Sequence, residues 1–135
     1  MSLINPVSDS GVYELSYKNA ISGGTFSTTG TLALFAISPN LAAGDYRIMA
    51  GGIFQNNVAG QAVNLYVSVD GSQIQRAQGS AGIASQTFSL VVIAIVTLTA
   101  GSHSITIEMG PNGSATASVV TSASRPAYFT VERIA

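Results

Sequence analysis

One histidine, six carboxylates and no cysteine are all that this 135-residue chain offers to acid–base, nucleophilic or metal chemistry. His103 stands in "AGSHSITIE", at the start of an alternating run, and the nearest acid in sequence is Glu108. A transition-metal site needs about three protein ligands, so a lone histidine reads as a structural residue. Asp9, Glu14, Asp45, Asp70, Glu108 and Glu132 could in principle supply the carboxylate pair of a glycosidase. Asp70 is explained by a turn and Asp45 by the glycine corner before it, and the chain has no Trp to stack a sugar ring. It also lacks a nucleophile elbow, a phosphate-binding loop and a dinucleotide fingerprint. The expectation is a protein that is not an enzyme, with no catalytic residue, no metal and no cofactor.

Binding chemistry is better represented. "FQNNVAGQ" (Phe54 to Gln61) and "QRAQGSAGIASQ" (Gln75 to Gln86) are rich in amides and glycine, suited to neutral hydrogen bonds with a partner or a saccharide, or simply to solvated turns. Arg125, Glu132 and Arg133 offer ion pairs between subunits, or solvent-exposed charge. The five cations, Lys18, Arg47, Arg76, Arg125 and Arg133, are scattered, and the net charge is −1. No basic stripe tracks a phosphate backbone, so nucleic acid is not an expected partner.

Such residues need elements to position them. The length suits a single domain burying about two thirds of its extended-chain surface. Charged residues make up only 8% of the chain and hydrophobic ones 47%, against about 25% charged in an average soluble domain. A surface this poor in charge belongs in a membrane or under other protein. A spanning helix needs about twenty consecutive apolar residues, twice the length of the longest run, Leu90 to Leu98. Alternation alone does not exclude an outer-membrane barrel, but aromatic girdles and a signal segment are missing from the sequence. Cover by protein is therefore expected, and no membrane.

No segment sustains a helical period, whereas β-branched and aromatic residues recur in short runs separated by Gly, Asn and Pro. About nine strands follow, which predicts an all-β, antiparallel two-sheet jelly-roll sandwich over residues 12–135 behind an extended N-terminal arm, residues 1–11. Asp70-Gly71 between two alternating runs is a two-residue hairpin turn, and "MGPNGSAT" is a second turn. "LAAGD" from Leu41 and "LTAGS" from Leu98 are similar corners, either an internal correspondence or a coincidence of glycine turns.

Leu90 to Leu98 holds the main functional lead, because only Thr97 in it is not hydrophobic. Leu90, Val92, Ala94, Val96 and Leu98 fall on one face of a strand and Val91, Ile93 and Ile95 on the other. The second face then needs cover, from another subunit or from a loop of its own.

"LYVSVDGSQI", "LTAGSHSITIEM" and the closing "SRPAYFTVERIA" together resemble the trimeric jelly-roll domains of tailed-bacteriophage virions, which are similar in architecture to tumour-necrosis-factor and complement globular heads. The resemblance spans roughly Tyr46 to Ala135 and rests on turn-and-strand patterns. It implies a homotrimer and a virion structural role, and no catalytic residue. Fibre heads normally follow an attachment segment, which the sequence does not display, so a capsid decoration (cement) protein is expected, with the major capsid protein as partner. A receptor- or saccharide-binding fibre head is the alternative. On the decoration reading the chain assembles in the host cytoplasm and resides on the capsid surface. Val91, Ile93, Ile95, Phe129 and Val131 are expected at the trimer interface, and Leu3, Ile4 and Val7 of the arm on the capsid.

Overall fold

Period-two runs bounded by turn residues fold into strands because each can bury one face while its backbone pairs sideways. The computed structural model describes residues 16–135. They form β1 (Ser16–Ile21), β2 (Thr25–Thr28), β3 (Leu32–Ile37), β4 (Asn40–Leu41), β5 (Gly44–Asn56), β6 (Ala62–Val69), β7 (Ser72–Ser80), β8 (Phe88–Leu98), β9 (Gly101–Ser102), β10 (Ile105–Pro111), β11 (Ala117–Val120) and β12 (Ala127–Arg133). Twelve strands form among the described residues where the sequence suggests about nine. The three additional strands, β2, β4 and β9, are four residues long or shorter, too short to show a period. Among the described residues no helix is long and apolar enough to cross a membrane.

The strands make an all-β, antiparallel jelly-roll sandwich. In one sheet the long β5 is central: β8 runs along one edge, and the other edge is shared by β12 over Tyr46 to Gly51 and by β11 over Ile53 to Asn56. β1 extends this sheet beyond β12, and β2 extends it beyond β11. The facing sheet has the order β3-β10-β6-β7. Between them lies a core that includes Phe35, Ile48, Phe54, Leu65, Val92, Ile107, Met109, Phe129 and Val131. Each such side chain contributes about 1.5–3 kcal/mol by leaving water. Phe35 and Phe129 stack across the two sheets with ring centroids 5.2 Å apart, near the favoured range for aromatic pairs.

Local chemistry shapes the connections. Asp70 and Gly71 have φ of 52° and 83°, the pair of positive values that a type I′ hairpin requires. The two leucine–glycine corners pair with each other. Leu41 pairs with Gly101 in the β4·β9 ladder, and Gly44 pairs with Leu98 in the β5·β8 ladder, so each corner's leucine faces the other's glycine. Both leucines are buried. At Gly44 the Ala135 carbonyl oxygen would lie only 2.5 Å from a Cβ, and the Asp45 N–H donates to that same carbonyl at 3.0 Å. Close approach of the Ala135 carbonyl therefore explains this glycine.

Candidate functional site

β8 alternates as its sequence predicts. Leu90, Val92, Ala94 and Leu98 point into the core, whereas Val91, Ile93 and Ile95 remain 44%, 48% and 66% exposed. Among the described residues, no loop covers this second face. Thr97, the polar exception in the run, donates from its hydroxyl to the Asp45 carboxylate across the ladder at 2.6 Å.

Pairing extends this face across the sheet. Ile95, Ile93 and Val91 stand opposite Arg47, Met49 and Gly51 of β5, and these in turn oppose Glu132, Thr130 and Tyr128 of β12. Tyr128 lies over Gly51: a Cβ there would be 2.6 Å from the phenol oxygen. A glycine in mid-strand thus lets an aromatic side chain lie close to the sheet. Arg47 and Glu132 form an ion pair at the border of the face. Toward β7, a shallow groove of about 280 Å³ is lined by Gln75, Arg76, Ala77, Val91, Val92 and Ile93.

Two expected interface residues are corrected by this geometry. Phe129 and Val131 are fully buried within their own chain. Their partners on β5, Ala50 and Ile48, also face inward, and adjacent residues across a ladder share a face. The outward residues of β12 are instead Tyr128, Thr130 and Glu132. Alternation in "AYFTVER" already carries that signal, because its apolar residues occupy every second position. Glu132 and Arg133 likewise engage their own chain, Glu132 through Arg47 and Arg133 by donating to the Ala43 carbonyl at 2.7 Å. Leu3, Ile4 and Val7 lie outside the described residues.

Among the described residues, Glu108, His103 and Asp70 make hydrogen bonds that tie segments together. Glu108 accepts from the Ser68 hydroxyl at 3.2 Å. His103 Nδ1 is 2.7 Å from an Asp70 carboxylate oxygen, and Nε2 is 2.8 Å from the Thr99 carbonyl oxygen. The carboxylate holds the imidazolium first and the carbonyl second, which raises the His103 pKa above its ordinary value. Asp70 is lowered in turn, first by His103 and then by the Ser104 N–H. A carbonyl occupies the nitrogen that a general base would turn toward substrate. Among the described residues, no group of three or more His, Asp or Glu side chains is placed to hold a metal ion.

The amide-rich segments meet at the end of the sandwich away from the Asp70 turn. The Asn57 N–H donates to the Thr116 carbonyl at 3.1 Å, the Thr116 N–H to the Asn57 side chain at 2.8 Å, and the Gly60 N–H to the Ala81 carbonyl at 2.9 Å. Val58 and Ile83 are exposed on these ordered loops.

No protein-family model matches the chain, and no curated protein matches it. Solved structures do. The Eiger TNF structure from S. frugiperda has a TM-score of 0.63 at 8% identity, covering 91% of this chain and 93% of that one. The likeness is one of fold. The VP2 subviral particle of infectious bursal disease virus has a TM-score of 0.50 at 16% identity over 90% of this chain and 38% of its own. T=1 particles derived from the same virus score 0.51 at 16% identity, over 90% and 36%. This chain thus spans little more than a third of the virus chains, and its jelly-roll architecture is shared with both groups.

Proposed function

We propose that this chain is a structural protein of a virion, a decoration protein that assembles as a homotrimer and stabilises the shell through protein–protein contacts with the major capsid protein. The observation that carries the reading is the contiguous row Val91, Ile93 and Ile95, held out to solvent along β8. Exposed apolar patches of this kind mark interaction sites. The partner face is a second copy, extended by Met49 and by Tyr128 over Gly51, with the Arg47–Glu132 pair at its rim. The role is mechanical: each trimer adds contacts that resist internal pressure. The jelly roll shared with the VP2 particle is consistent with shell building, and the 8% charge content of the sequence suits a surface largely covered by protein.

A receptor- or saccharide-binding fibre head is the second reading, favoured by the ordered amide loops with exposed Val58 and Ile83. Copy number separates the two. Quantitative mass spectrometry of purified particles against the major capsid protein should give a near-stoichiometric ratio for decoration. A ratio of a few per cent would overturn it in favour of a fibre head.

A further inference from the structure

His103 lies where three connections meet. Its backbone N–H donates to the Pro39 carbonyl at 3.0 Å, in the segment between β3 and β4. Its ring bridges Asp70, in the β6–β7 turn, to the Thr99 carbonyl, just past the end of β8. Asp70 is further tied to the same corner, since its N–H donates to the Ser104 carbonyl and its second carboxylate oxygen accepts the Ser104 N–H, both at 2.8 Å. The ring is only 11% exposed, whereas the carboxylate is 51% exposed.

A carboxylate and a carbonyl can only accept, so both ring nitrogens must donate to satisfy them. Neutral imidazole carries one N–H and imidazolium carries two. We propose that His103 is a proton-operated clasp: protonated, it ties the β6–β7 hairpin to the end of β8 through one ring, and deprotonated it must release one of the two. Asp70 is the titratable group facing the ring from the hairpin. Ser38, Pro39 and Asn40 bring none from the β3–β4 side, and Asp45 is turned to Thr97.

The direction of the pH effect follows from the shifts. His103 is raised, so its stabilisation is complete below about pH 6.5, the ordinary imidazole value, and is lost as pH rises through the higher folded value. Asp70 is lowered, so its contribution is present above the ordinary carboxylate value, about 3.9, and is lost as pH falls through the lower folded one. The clasp is therefore tightest at mildly acidic pH. Its action does not depend on trimer formation.

The chain has one histidine, so an NMR titration of the full chain reads His103 alone. Amide exchange of residues 69–73 and 99–104 is compared at about pH 5.5 and about pH 8.5, on either side of the ordinary imidazole value and corrected for intrinsic rates. The expected result is a midpoint above about 6.5, with greater protection of both segments at the lower pH. Asp70→Asn, which retains tolerance of positive φ, should lower the midpoint. His103→Gln should abolish the pH difference in protection. A wild-type midpoint at or below the ordinary value overturns the proposal, as does equal protection at the two pH values.

Discussion

A Cβ at Gly51 would come within 2.6 Å of the Tyr128 hydroxyl oxygen and 3.0 Å of the Leu90 carbonyl oxygen. The phenol is the far end of a side chain and can swing away, but the carbonyl belongs to the neighbouring strand. Gly51→Val should therefore strain the β5·β8 ladder and destabilise the fold by about 1–3 kcal/mol, as overpacking commonly does, measured by urea denaturation. Little of this was legible in sequence: "MAGGIF" shows two adjacent glycines without showing which ring crosses them. His103 is similar. Its isolation in the sequence suggested a structural role, but Asp70 is 33 residues away, and no local pattern pairs them.

At the scale of the element, β8 was the most legible part of the chain. Its two faces follow from alternation alone, and among the described residues the row Val91, Ile93 and Ile95 is exposed. Replacing Ile93 by Asp puts a strand-disfavoured residue at a half-exposed position and should destabilise the single chain by about 1 kcal/mol. In an assembled trimer the same carboxylate would be buried without a partner, at a cost of several kcal/mol. Sedimentation should then show wild-type trimers and Ile93→Asp monomers. A variant that still sediments as a trimer would remove Ile93 from the contact. β12 taught the opposite lesson, because its phase was readable while its place in the sheet was not. Phe129 and Val131 are apolar, as an interface residue would be, but pairing with Ala50 and Ile48 commits them to the core.

For the whole molecule, the balance of covered and open surface matters most. The sequence from Ala77 to Ile107 contains no Asp, Glu, Lys or Arg, and it includes the whole of β8. An assembly built on such a face rests on burial of apolar area, and binding that favours the folded state makes apparent stability depend on concentration. The melting temperature of the wild-type chain should rise with protein concentration, and that of Ile93→Asp should not. Scanning calorimetry over a hundredfold range checks this. The Arg47–Glu132 pair at the border is exposed on both sides, so added salt should alter assembly little.

By itself the sequence determined the all-β class, the principal strands, the Asp70-Gly71 hairpin and the two apolar faces of β8. These follow from interactions between near neighbours: a side-chain period of two, turn residues that accept positive φ, and apolar residues that avoid water. Only the tertiary structure decided the rest. It placed β12 between β1 and β5, laid Tyr128 over Gly51, set each corner leucine opposite the other's glycine and placed His103 between Asp70 and Thr99. All four depend on which distant strands pair and in what register. That register is fixed by the packing of both sheets together.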